Sequence, residues 1–98
     1  MIQLARKYEA IYILNPVIGE EAINATTEKI QTLIESAATV EKIDVWGRRR
    51  LAYEIKDQKE GYYVLIDFSA ETDFPKELER VLKITEGVLR YLVIRTDD

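Results

Sequence analysis

An α+β sandwich with the element order βαββαβ is the fold this sequence predicts, and three observations predict it. Four stretches, 8–14, 38–55, 62–69 and 88–96, are rich in β-branched and aromatic residues and alternate apolar with polar positions. Over 19–37 and again from Pro75 onward the apolar spacing lengthens to that of a helix. Turn residues stand at the junctions: Asn15-Pro16, Asp57 to Gly61, Glu71-Thr72 and Gly87.

The first strand, Tyr8 to Leu14, is expected to stop at Asn15-Pro16. Met1 to Ala5 is a short N-terminal extension of a single domain spanning residues 1–98. From Gly19 to Ala37, Ile23, Ile30, Ile34 and Ala37 form the apolar stripe of a helix; Thr27 fills the missing turn and Leu33 widens the stripe. Glu20 and Glu21 in its first turn suit the positive end of the helix dipole. The second strand runs long, from Ala38 to Ile55. Apolar parity slips between Val40 and Ile43, which predicts a bulge, and Gly47 predicts another.

After the turn, Tyr62 to Ser69 forms the third strand and a hairpin partner for the second. Pro75 suits the first position of the second helix, whose buried face is Phe74, Leu78, Val81 and Leu82. Gly87 is its expected stop, before a fourth strand from Val88 to Thr96. Short connections and right-handed crossovers make this a ferredoxin-like sandwich. Its four-stranded antiparallel sheet has spatial order 4-1-3-2, with both helices on one face and the other face open. The second strand then lies at an exposed edge, where strands recruit partners unless charge blunts them.

Composition narrows the chemistry. At 47% hydrophobic and 33% charged, the 98-residue chain has the balance of a soluble globular domain. It lacks cysteine and histidine, which removes disulfides, thiolates, the commonest general base and the commonest metal ligand. No apolar run approaches the ~20 residues of a membrane span, so no membrane partner is expected. The acidic residues Glu20, Glu21, Asp57, Glu60, Glu71, Asp73, Asp97 and Asp98 fall at helix starts, turns or the terminus, where solvation or capping explains them. No metal site, cofactor, small-molecule substrate or enzymatic activity is expected.

One stretch stands out, Trp46-Gly47-Arg48-Arg49-Arg50-Leu51-Ala52-Tyr53. On a strand, Arg48 and Arg50 must face opposite to Arg49. Edge-strand charge against aggregation is the ordinary explanation of such a triplet. Phosphate binding is the functional one, because the guanidinium fork matches phosphate geometry. With a net charge of −4, any anionic partner must be met by such local patches. Gly61-Tyr62-Tyr63-Val64 begins like the third-strand motif of RNA-recognition domains but lacks its later aromatic, so base stacking on the sheet is not the expected mode.

Several runs occur together in family order: Arg6-Lys7-Tyr8-Glu9, Asn15-Pro16, Trp46 to Tyr53 with Ile55, Gly61-Tyr62, and Val88-Leu89-Arg90 through Arg95. Together they resemble the family of the sixth protein of the bacterial small ribosomal subunit, from Arg6 to Arg95. The resemblance implies a cytoplasmic, ribosomal, structural role: binding the central domain of small-subunit ribosomal RNA as a pair with the eighteenth small-subunit protein. Two departures stand out. Glu54 occupies a position where the family commonly has proline, and the chain stops at Asp98 without the longer tail of some relatives.

Under that resemblance, Arg48, Arg49, Arg50, Arg90, Arg6, Lys7 and Arg95 are the expected RNA-binding or partner-binding residues. Trp46, Leu51 and Tyr53 are the apolar residues expected to dock the partner. Arg90 belongs at the same sheet end as the arginine hairpin, and Arg6, Lys7 and Arg95 at the opposite end. Three inter-strand steps of ~4.8 Å keep the outer strands about 14 Å apart, so a flat sheet cannot gather one compact patch. The alternatives are a ferredoxin-like regulatory module that binds a small ligand and pairs through edge strands, and an acylphosphatase-like enzyme. The second would need an anion-cradling loop where Asn15-Pro16-Val17-Ile18-Gly19 stands, and Pro16 removes a donor.

Overall fold

The structure, a computed structural model, describes residues 5–55 and 58–96. Met1 to Leu4 of the expected extension, Asp57 of the expected turn, and Asp97 and Asp98 lie outside the described residues. The elements are β1 (Arg6–Leu14), a 3-10 turn (Pro16–Ile18), α1 (Glu20–Ala37), β2 (Thr39–Ile55), β3 (Gln58–Ala70), α2 (Phe74–Ile84) and β4 (Val88–Arg95). The sheet order is β2-β3-β1-β4, the expected 4-1-3-2 read from the other edge, and every pairing is antiparallel. The ferredoxin-like α+β fold is therefore the observed one.

Alternation along the central strands divides the two faces. Tyr8, Ala10, Tyr12 and Leu14 of β1, and Val64, Ile66, Phe68 and Ala70 of β3, point to the helices and are buried. Against them pack Ile23, Ile30 and Ile34 of α1 and Phe74, Leu78 and Leu82 of α2, with Leu33 and Val81 partly buried beside them. Aromatic contacts tie these layers together: Phe68 stacks on Tyr8 and meets Phe74 edge-on, with centroids 5.7 and 5.8 Å apart. Thr27 completes the α1 stripe as expected, its hydroxyl donating to the Ile23 carbonyl at 2.9 Å. Burial drives the Tyr12 phenol well above its usual pKa, with Thr27 partly offsetting that shift.

Both expected bulges are present, as register shifts between Val40 and Lys42 and between Val45 and Gly47. Gly47 holds a φ of 76°, a left-handed conformation that costs glycine little. Three expectations need correction. Ala37 is exposed, because α1 ends there and the chain turns inward at Ala38 instead. The second helix stops at Ile84, before Gly87; the Thr85 hydroxyl caps the Val81 carbonyl and Gly87 serves the following turn. Gln58 to Gly61, expected as turn, already belong to β3 and pair with β2.

Candidate nucleic-acid and partner interface

Of the residues expected at the site, Arg48, Arg49, Arg50, Leu51 and Tyr53 lie on the arm that β2 and β3 form beyond Gly47. Arg48 pairs with Tyr62, Arg49 with Gly61 and Arg50 with Glu60. Even-numbered β3 residues face the helices, so Arg48 and Arg50 take the helix side and Arg49 the open side. The surface agrees. Arg48 and Arg50 line one cleft with Pro16, Val17 and Lys59, whereas Arg49 lines another with Trp46 and Tyr63. Trp46 and Tyr63 stack with centroids 6.0 Å apart and planes 20° apart.

The arm does not stay in the plane of the sheet. Between Arg50 and Ile55 the register shifts again: the next β2 pair after Arg50–Glu60 is Ile55–Gln58. Extra residues on β2 force it to bend, and the arm curls over the open face. Leu51 lands on Gly61 and is only 8% exposed. A Cβ at Gly61 would overlap Ile13 Cγ2 and lie 3.3 Å from Leu51 Cδ2, so only glycine admits this approach.

The curl overturns the flat-sheet expectation. Arg90 of β4 donates to the Tyr53 hydroxyl of β2 and lies over its ring, 5.8 Å from the centroid. Two outer strands expected to remain about 14 Å apart thus share a contact. Of the three apolar residues expected to dock a partner, Trp46 and Tyr53 are exposed while Leu51 anchors the arm from beneath.

The opposite end of the sheet is mixed in charge. Arg6 and Arg95 flank Tyr8 on the helix side, whereas Lys7 faces the open side with Glu9. Glu9 and Asp67 are direct cross-strand partners there. Partial burial first, and then the neighbouring Asp67 carboxylate, raise the Glu9 pKa above the usual carboxylate value. Glu41 also belongs to this end, accepting from the Ser69 hydroxyl at 2.9 Å. Between the two ends the open face carries Ile11, Leu65, Leu92 and Ile94, of which Leu92 and Ile94 are exposed.

Two features went unseen in the sequence. Lys59 joins Arg48 and Arg50, yet it sits in a stretch that looks like a turn. Tyr63 supports Trp46, although its parity on β3 marks it as an open-face residue.

The family model for ribosomal protein S6 matches residues 7–95. The chain belongs to the ribosomal protein S6 family. Small ribosomal subunit protein bS6 of Clostridium botulinum (strain 657 / Type Ba4) is 51% identical over 90 residues, covering 91% of this chain and 96% of the relative. Its counterpart in Clostridium beijerinckii is 48% identical over 91% of this chain and 95% of its own. The crystal structure of 30S ribosomal protein S6 from Thermotoga maritima superposes with a TM-score of 0.89 at 31% identity, covering 94% of this chain and 88% of that one.

S6 family membership makes this a small-subunit ribosomal protein, part of the cytoplasmic bacterial ribosome, with ribosomal RNA as its partner. The family is one of ribosomal structural proteins rather than enzymes. It leaves the regulatory-module and acylphosphatase alternatives without support.

Proposed function

We propose that the chain binds the central domain of small-subunit ribosomal RNA as a pair with the eighteenth small-subunit protein, and so supports assembly of the subunit. The observation that carries this reading is the open face of the sheet. It has an apolar middle, arginines at one end and the Glu9–Asp67 carboxylates at the other. An apolar strip bounded by carboxylates suits a basic protein, which would also supply the positive field that a chain of net charge −4 lacks.

Within this function, Arg48, Arg49, Arg50 and Arg90 carry the principal contacts to RNA or the partner, with Trp46 and Tyr53 as apolar anchors. Arg6, Lys7 and Arg95 are secondary, since Glu9, Glu41 and Asp67 dilute the charge at their end. The test is purification of the tagged chain from cells at low salt. Ribosomal RNA of the central domain and a small basic protein should accompany it, and both should be lost together when Arg48, Arg49 and Arg50 are neutralised. Recovery of the chain with neither companion would contradict the proposal.

A further inference from the structure

The arginine triplet is not one patch. Arg48 and Arg50 open onto the helix side of the arm, in a cleft of about 600 Å³ closed by Pro16 and Val17 of the 3-10 turn and by Gln58, Lys59 and Glu60 of β3. Arg49 opens onto the other side, against Trp46 and Tyr63. Residues two apart on a strand stand about 6.6 Å apart, so the Arg48 and Arg50 side chains can converge on one or two neighbouring anionic groups.

We propose that the cleft bounded by Arg48, Arg50 and Lys59 is where the chain grips the phosphate backbone of RNA, and that Arg49 takes no part in that grip. This rests on the RNA-binding role proposed above and divides the arginines within it. Arg48 and Arg50 open into the cleft with Lys59 at its border, and guanidinium forks match phosphate oxygens in pairs. Among the described residues that line it, Val17 is the one exposed large hydrophobic, and apart from Pro16 the others are charged or polar. The exposed aromatic surface of the arm, Trp46 and Tyr53, lies with Arg49 on the other side.

Glu60 tempers the site. It stands directly opposite Arg50 in the β2–β3 register and lines the same cleft, so its carboxylate opposes an incoming phosphate. Removing that charge should strengthen the grip.

The experiment uses the full chain with its basic protein partner and a central-domain RNA fragment, measuring affinity across a salt series. Partner affinity is measured separately without RNA. R48Q/R50Q should weaken RNA binding about tenfold or more and lower the slope of log K against log salt by roughly 1.4–1.8, two phosphate contacts' worth. Its partner affinity should stay within about twofold. R48K/R50K should keep the slope, which separates lost charge from a damaged fold. R49Q should leave the slope unchanged, and E60Q should tighten binding by a few-fold. An R49Q slope loss equal to that of R48Q/R50Q, or an unchanged slope in R48Q/R50Q, would overturn the division. Failure of the unsubstituted chain and partner to bind the RNA would instead overturn the RNA-binding role itself.

Discussion

Arg90 and Tyr53 belong to strands at opposite edges of the sheet, yet the Arg90 guanidinium carbon lies 5.8 Å from the centre of the Tyr53 ring. The contact exists because the arm bends at Gly47 and again after Arg50, bringing β2 back over β1 toward β4. It combines a cation–π contact with a hydrogen bond to the phenol. At an exposed site such a pair is worth about 0.5–1 kcal/mol. A double-mutant cycle on Tyr53→Ala and Arg90→Ala should therefore show coupling of that size in the unfolding free energy. Hydrogen exchange should also quicken in the arm of Tyr53→Ala. Zero coupling would mean that the arm and β4 do not meet in solution.

Gly61 is the point over which the arm folds. A methyl group there meets both Ile13 and Leu51, so Gly61→Ala should destabilise the chain by about 1–3 kcal/mol, as overpacking does. The loss should shrink when Ile13 is also changed to Ala, because the overlapping methyl is gone. Denaturant unfolding of both single variants and the double checks this.

Much of this architecture was legible in the sequence, because the central strands and both helices bury one face each and so must display their period. Ile23, Ile30 and Ile34 show the α1 stripe, and the parity slip after Val40 shows its bulge. The arm was less legible for the same physical reason. Beyond Gly47 the strands leave the helix-covered core, so Gln58, Lys59 and Glu60 need no alternation and look like turn residues. The approach of Tyr53 to Arg90 depends on a bend whose cause, the unequal lengths of the two strands between Arg50 and Ile55, appears only once the register is known. The division of the arginines by face was readable from alternation alone, but not which face carried the cleft.

Ile30 is fully buried beneath the sheet. Ile30→Ala should cost about 2–5 kcal/mol in chemical denaturation. A loss below about 0.5 kcal/mol, the size of a surface substitution, would place Ile30 outside the core.

Glu9 and Asp67 set like charges directly across the open face, and partial burial together with that neighbouring carboxylate raises the Glu9 pKa above its ordinary value. The folded chain therefore holds the Glu9 proton more tightly than the unfolded chain does. This group's unfavourable contribution is absent below its unfolded pKa, grows as pH rises from there through the folded pKa, and is complete above it. Glu9→Gln should stabilise the isolated chain at neutral pH by about 0.2–1 kcal/mol, the range for a directly opposed pair. That gain should fade as pH drops toward the ordinary carboxylate range. Thermal melts of both chains across pH check it, and a gain that does not depend on pH would point away from the carboxylate pair.

The proposed function requires that this acidic chain bind RNA well only alongside a basic companion. It is tested most directly by titrating salt in a binding assay on a central-domain RNA fragment, with and without the eighteenth small-subunit protein. Addition of the partner should tighten binding at least tenfold, about 1.4 kcal/mol, and steepen the salt dependence because more phosphates are neutralised. Equal affinity and an equal salt slope for the isolated chain would contradict the claim, and would show that this domain carries a sufficient RNA site of its own.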